Sequence, residues 1–198
     1  VTTDDPDSRE VYINKVRDRC ENYLRVAFEY YLREGGVEIP TSYPDPKTGE
    51  QYKKMDQVTI LFNEDRLDPL DPFCRDMVDP DSNYGTLVWK GTIPTPVSGR
   101  MAELNISIFM IPNINHPEYT ARRKKQQEHL KSAFEAGAYG LQGLYIYRNM
   151  RLIDAAGRHQ WKGIFGEVDH HRTHLRWEVH LPPGRDVGTA DSEFRVNK

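Results

Sequence analysis

The sequence predicts an α+β fold: a mixed, largely antiparallel sheet with helices packed on one face. About six segments show the apolar alternation or short apolar runs of strands, and two longer segments repeat apolar residues at helical spacing. The predicted strands cluster along the chain and do not alternate with helices, which favours an α+β layer fold over a parallel α/β sheet.

The first predicted helix begins near Ser8, a suitable N-cap, and ends at Gly35 and Gly36. Its apolar residues recur at spacings of three and four and form one stripe, which we expect to be buried. The stripe comprises Val16, Cys20, Tyr23, Leu24, Ala27, Phe28, Tyr31 and Leu32.

The next segment is predicted to be mostly irregular. Residues 37–56 are rich in Pro, Asp, Lys and Gly and form an extended loop, and Gln57–Phe62 forms a short strand. Residues 63–82 contain three Asp-Pro pairs, which exclude long regular elements because the residue before proline avoids helical dihedral angles. The aspartates there lack calcium-loop spacing and are interpreted as turn formers: Asp65, Asp68, Asp71, Asp76, Asp79 and Asp81.

Two strands and a helix follow. The strands are Thr86–Ile93 and Glu103–Ile111, joined by a proline-containing loop. A helix then extends from Thr120 to Gly137. Only its second half is expected to pack firmly, because its few apolar residues lie there: Leu130, Ala133 and Phe134.

A hairpin and one further strand complete the prediction. Leu144–Tyr147 and Leu152–Ala155 flank a turn in which Asn149 suits a positive φ. In the last strand, Thr173–Leu181, the apolar residues are predicted to face inward and the polar residues outward. The inward set is Leu175, Trp177, Val179 and Leu181, and the outward set is His174, Arg176, Glu178 and His180.

Composition limits the function. The formal net charge of the 198 residues is only −3, so nothing global argues for nucleic-acid or membrane binding. No apolar run approaches the roughly 20 residues of a membrane span, and no membrane partner is expected. Cys20 and Cys74 match no paired metal or redox motif, which favours a reducing, cytoplasmic location.

Two groups of residues suggest chemistry but do not establish it. The histidines near the last strand are interpreted as a solvated loop, because His174 and His180 are six residues apart, roughly 20 Å along an extended strand. We assign no metal ligand; a metal site or a small hydrolase that uses these residues remains an alternative. The full set is His159, His170, His171, His174 and His180.

The second group is the basic run Arg122-Arg123-Lys124-Lys125, which opens the second helix. A solvated helix face is favoured over phosphate contact, since no aromatic residue is interleaved and the helix dipole disfavours cations at this end. No residues form a nucleophile, a base and an oxyanion hole, so we expect no enzymatic activity of this chain alone.

Five phrases occur in order along the chain: ENYLRVAFEYYLREGG, ILFNEDRLDPLDPF, GLYIYRNMRLIDAAG, HLRWEVHLPP and DSEFRVNK. Together they resemble the second, transducer domain of MORC-like bacterial GHKL ATPases, the class of gyrase, MutL and the heat-shock chaperone. Matches to the family's phrases include Asn63, Leu67, Pro69, Asp71, Pro72, Gly143, Tyr145, Tyr147, Arg148, Asn149, Arg151, Leu152, Ile153 and Gly157, with Trp161 and Phe165 at its aromatic pair. We interpret Tyr145, Tyr147, Trp161 and Trp177 as core.

The resemblance implies a ribosomal-protein-like transducer fold. Residues 1–36 would be a lead-in and linking helix from an absent ATPase domain, and residues 37–198 the transducer-like domain. Such a domain receives ATP-dependent movement and sends a lysine to the γ-phosphate. Lys198 matches this lysine, with Asn197 beside it and Phe194 anchoring the strand. A solvated lysine at the end of the chain is the alternative interpretation of Lys198.

Cofactors and partners follow from the same resemblance. The family's Asn- and Glu-bearing helix and its Asp-x-Gly-x-Gly phrase do not occur here, so no cofactor is expected in this chain. The chain begins with Val and ends within a strand-like phrase, as a piece of a longer ATPase would, and ATP and Mg²⁺ are expected in that parent. The implied partners are the N-terminal GHKL ATPase domain, with a homodimer and DNA as further candidates. The alternative is a stand-alone module that binds a protein or nucleic acid.

Overall fold

The computed structural model describes residues 6–40, 49, 52–75, 86–97, 100–111, 121–135, 141–155 and 174–182. The elements within these residues, in chain order, are α1 (Pro6–Ala27), α2 (Glu29–Leu32), β1 (Val37–Pro40), β2 (Tyr52–Met55), β3 (Leu61–Phe62), β4 (Asp65–Arg66), β5 (Thr86–Val97), β6 (Arg100–Met110), α3 (Ala121–Phe134), β7 (Gly143–Arg148), β8 (Arg151–Ala155) and β9 (Leu175–His180). The predicted α+β class is confirmed.

The main sheet has five strands in the order β5-β6-β9-β7-β8. Three of its four pairings are antiparallel, and β7 pairs with β9 in parallel. Strand β5 lies at an edge and contains Pro94 and Pro96, residues that an edge strand tolerates because one side of it needs no ladder hydrogen bonds. Strand β9, the last in the sequence, therefore lies in the centre of the sheet.

The core lies between one face of this sheet and the helices. Tyr145, Tyr147 and Phe109 point from the sheet into this layer and are buried. The helices contribute apolar side chains opposite them, and the segment between β4 and β5 adds a third group. The buried residues from these two sources are Val26, Ala27, Leu130 and Ala133, and Leu70, Phe73 and Cys74. The predictions that Tyr145 and Tyr147 form core and that Leu130 and Ala133 pack are confirmed.

The first helix differs from the prediction in its bounds and in its buried face. It begins at Pro6 and is interrupted at Phe28, which separates α1 from α2. Cys20 is exposed, not buried. The face of α1 that approaches α3 carries Val16, Arg19 and Tyr23, and the Tyr23 ring meets Phe134 edge-on at 6.3 Å. The packed face is thus rotated away from Cys20, and even Val16 and Tyr23 remain about two-fifths exposed (40% and 42%).

The segment predicted as an extended loop contains a small hairpin, in which β1 pairs antiparallel with β2. The predicted strand Gln57–Phe62 is reduced to Leu61–Phe62, because its first residues hydrogen-bond to the end of α2. The Gln57 amide donates to the Leu32 carbonyl at 2.8 Å, and the Val58 N–H donates to the Tyr31 carbonyl at 2.8 Å. These bonds satisfy carbonyl groups at the C-terminal end of α2 that have no partner within the helix.

The remaining elements follow the prediction with shifted bounds. Strands β5 and β6 are longer than predicted and take up part of the proline-containing loop. The hairpin of β7 and β8 is confirmed, with positive φ at Asn149 (50°) and Met150 (62°), as a two-residue turn between twisted strands requires. In α3 the first half also packs, because Gln126 and Gln127 are buried there.

Candidate functional site

A group of buried ionisable side chains joins the helices, the segment after β4 and the sheet. We call it the charge cluster. It comprises Glu29, Tyr30 and Arg33 of α2, Asp71 and Arg75 of the segment after β4, Tyr147 of β7, and Glu178 and His180 of β9. Three carboxylates here face two guanidinium groups, so one further proton, taken up by Glu29, makes the cluster neutral.

Arg75 lies at the centre of the charge cluster, and all five of its N–H groups have an acceptor. Nε contacts both Asp71 oxygens, at 3.2 and 3.1 Å. Nη1 donates to the Tyr30 hydroxyl at 2.6 Å and to Glu178 at 3.1 Å, and Nη2 donates to Glu29 at 2.5 Å and to Asp71 at 3.0 Å. The planar guanidinium fits this arrangement, which a compact ammonium group could not fill.

Glu29 is fully buried and connects α2 to Arg75. Its second oxygen accepts from Arg33 at 2.6 Å, and the Tyr147 hydroxyl donates to its first oxygen at 3.4 Å. Burial and then the charge of Asp71 raise the pKa of Glu29 to about 7, against the opposing charges of Arg75 and Arg33. This carboxyl therefore changes its charge near neutral pH.

Glu178 is held in the opposite state, although it is nearly as buried. Burial acts against its charge, but the hydrogen bond from His180 and the charge of Arg75 outweigh it and lower its pKa to about 2. The Tyr30 hydroxyl donates to the same carboxylate. His180 is positioned by stacking on Tyr147, with the ring centroids 5.2 Å apart and an interplanar angle of 21°.

The inward position of Glu178 and Arg176 contradicts the prediction that the polar residues of the last strand face outward. Both side chains are buried, because they lie on the face of β9 that the helices cover. There Arg176 donates to the Pro72 carbonyl and, at 2.8 Å, to Gln127 of α3. The alternation of side chains along β9 was predicted correctly, but the sequence does not indicate that the covered face provides hydrogen-bond partners for Arg176 and Glu178.

A cleft of about 700 Å³ opens beside the charge cluster. Its lining includes four residues of the charge cluster, Tyr30, Arg75, Glu178 and His180. Strands β5 and β6 and the turn after β7 supply the remaining lining residues: Leu87, Lys90, Asn105, Ser107, Phe109 and Met150. The volume lies within the range of small-molecule sites, and the lining combines apolar surface with a few polar groups, as such sites do.

The residues predicted from sequence to carry function are mostly not among those described. Lys198, Asn197 and Phe194 lie outside the described residues, as do His159, His170, His171, Trp161, Phe165 and Gly157. Of the histidines near the last strand, His174 precedes β9 and His180 ends it, and in the described ranges no three potential ligands are placed to hold a metal ion. Lys124 and Lys125 are exposed. Within the described helices, none is both long and apolar enough to cross a membrane.

Comparison with known proteins gives no assignment: no family model, no curated protein and no solved structure matches this chain.

The charge cluster itself was not predicted. A signal for it exists in two complementary pairs at a spacing of four, Glu29 with Arg33 and Asp71 with Arg75. Such pairs are ordinarily solvent-exposed, so their spacing alone does not predict a buried cluster. Asp71 was interpreted as a turn former, and it does accept the backbone N–H groups of Phe73 and Arg75, at 2.9 and 2.7 Å.

Proposed function

We propose that this chain is the transducer domain of a GHKL-type ATPase similar to the MORC-like bacterial proteins. Its role would be to convert ATP binding and hydrolysis in a neighbouring domain into conformational change. The proposal rests on one observation: the sequence phrases that resemble the family come together in the charge cluster. Four of the five phrases, far apart in sequence, contribute to the charge cluster: through Glu29 and Arg33, Asp71, Tyr147, and Glu178 and His180.

The contacts of α2 support a coupling role. Glu29 and Tyr30 are bonded to Arg75, and through it to Glu178 in the central strand of the sheet. In the same short helix, the Tyr31 hydroxyl donates to the Asn149 carbonyl at 2.6 Å, at the tip of the β7–β8 hairpin. A displacement of α2 would therefore act on two places in the sheet through directional bonds.

In this proposal β9 leads toward the segment that contains Lys198. A lysine ammonium on its flexible stem would stabilise charge that develops on the γ-phosphate during hydrolysis. ATP and Mg²⁺ would be held by the neighbouring ATPase domain, and this chain's own contribution would be the contact from Lys198, with Asn197 beside it. The homodimer and DNA remain candidate partners of the longer protein.

The test is Lys198→Ala in the protein that contains both domains, with ATP hydrolysis as the assay. Loss of one group that stabilises the transition state is expected to lower turnover by roughly 100-fold. Lys53→Ala is the matched control, because Lys53 is an exposed lysine on β2. Turnover that falls equally in both variants, or in neither, would refute the lysine contact.

The upstream coding sequence separates this proposal from a stand-alone binding module. A preceding segment with the Asn- and Glu-bearing helix and an Asp-x-Gly-x-Gly phrase is expected. A start codon directly before Val1 would exclude the transducer proposal and leave the binding module, whose candidate site is the cleft.

A further inference from the structure

The cleft beside the charge cluster has hydrogen-bond donors whose partners within the described residues leave them capacity to bind a ligand. The Asn105 side-chain oxygen accepts from the Thr92 hydroxyl at 3.0 Å, which leaves the amide N–H groups of Asn105 to bond elsewhere. His180 uses its Nε2–H for Glu178 at 3.1 Å, so His180 adds no further donor when its ring is neutral. Ser107 also lines the cleft, and its hydroxyl can donate a hydrogen bond.

The charges of the lining favour an anion. Arg75 and Glu178 line the cleft but are paired with each other and with Glu29 and Asp71, so Lys90 is the lining cation whose charge the charge cluster does not compensate. Glu178 is buried and already accepts from Tyr30, Arg75 and His180, so it presents little free charge to the cleft. Every N–H of Arg75 is engaged and its charge is compensated by these carboxylates, so Arg75 offers a ligand neither a donor nor a net charge. Lys90 is exposed and pairs with no carboxylate in the described part of the chain, so it is the group placed to contact an anion.

The apolar part of the lining limits the kind of anion. Leu87, Phe109 and Met150 line the cleft together with the polar groups. A single available ammonium group suits one negative charge better than the several charges of a polyphosphate. A volume of about 700 Å³ leaves room for an aromatic or branched apolar group next to that charge.

We propose that this cleft binds a small monoanionic ligand with an apolar body, of the class of aromatic carboxylates, with its carboxylate at Lys90, Asn105 and Ser107 and its apolar body against Met150 and Leu87. The inference does not depend on the ATPase proposal, because it uses only residues of this cleft.

The experiment is isothermal titration calorimetry of the 198-residue chain with 2-naphthoate, 2-naphthamide and inorganic phosphate. The naphthoate is expected to bind more tightly than its neutral amide and more tightly than phosphate. Lys90→Gln is expected to weaken naphthoate binding roughly tenfold, as loss of one partly screened charge contact does. Met150→Ala is expected to weaken it severalfold by removing part of the apolar wall.

Lys53→Gln is the matched control, because it removes an exposed lysine of β2 that does not line the cleft. Far-UV circular dichroism checks that every variant is folded. Any of three results overturns the proposal: no naphthoate binding at millimolar concentration, equal affinities in Lys90→Gln and Lys53→Gln, or tighter binding of phosphate than of naphthoate. None of these results bears on ATP turnover in the longer protein.

Discussion

Arg75 is the residue whose replacement tests the charge cluster most directly. Its five N–H groups bond Glu29, Asp71, Glu178 and the Tyr30 hydroxyl, and its guanidinium lies 4.9 Å from the Phe73 ring centroid and 5.0 Å from that of Tyr30. Arg75→Met keeps an apolar stem of similar length but removes every one of these bonds. The three carboxylates would then lose their common partner in a site with little access to water.

The expected loss follows from burial. Removing one partner of a buried ion pair costs about 3–5 kcal/mol, because the remaining charge stays buried without compensation. The Arg75 side chain is 22% exposed, whereas the Glu29 carboxylate is fully covered, so water can relieve only part of the cost. We expect Arg75→Met to lower the free energy of unfolding by about 3 kcal/mol. Arg75→Lys keeps the charge with three donors in place of five and should lose roughly half as much.

Urea unfolding of the 198-residue chain, followed by far-UV circular dichroism, measures this loss. The control is Arg19→Met, which breaks the Arg19–Glu135 pair at 2.7 Å, an interaction with side chains 49% and 57% exposed. An exposed pair contributes less than about 1 kcal/mol. If Arg75→Met and Arg19→Met destabilised the protein equally, the argument from burial would be wrong.

Two further predictions concern pH and a glycine. The pKa of Glu29 is raised from 4.5 to about 7, so the stability that the protonated carboxyl contributes is complete below pH 4.5 and is lost as pH rises through about 7. The free energy of unfolding should therefore fall by about 3 kcal/mol between about pH 5 and about pH 8, and Glu29→Gln should remove this fall. Urea titrations that show the same fall in Glu29→Gln would contradict the prediction. Gly36 has a φ of +75° and a Cβ there would overlap the Met55 carbonyl oxygen, whereas Gly35 has a φ of +86° and open space around it. Gly36→Ala should therefore cost several kcal/mol and Gly35→Ala only about 1 kcal/mol in unfolding free energy, and equal costs would show that the backbone overlap is relieved.

Sequence was a good guide to the local elements. The β7–β8 hairpin follows from Asn149, because a residue that tolerates positive φ between two alternating segments determines the turn and the register. The Gln57–Phe62 segment was predicted less well, because its hydrogen bonds go to Tyr31 and Leu32 at the end of α2. Strand propensity describes the preference of a segment by itself. Here that preference is outweighed by the hydrogen bonds that the segment makes to the free carbonyl groups at the end of α2.

The charge cluster could not be predicted from one sequence for a different reason. Alternation along β9 separates its residues into two sets but does not say which set the helices cover. The apolar set of Trp177 and Val179 suggests the core, and Val179 is indeed buried. The helices nevertheless cover the set with Arg176 and Glu178, where Gln127, Pro72 and Arg75 supply their hydrogen-bond partners. A polar residue reveals its burial only through its partners, and these are 49 to 104 positions away in the sequence.

The contact between α2 and the sheet is made of charged side chains where apolar side chains could also pack. Apolar side chains of the same volume are often as stabilising as a buried ion network, so stability alone does not explain Arg75. Apolar contact is non-directional, whereas the hydrogen bonds of Arg75 fix the positions of α2, the segment after β4 and β9 relative to one another. A displacement of α2 that broke the bond to Glu29 would leave a buried charge, unless Glu29, with its pKa near 7, took up a proton. Through these bonds, a displacement of α2 changes the free energy of the contacts that Arg75 makes with the central strand. The proposed coupling role requires such a dependence.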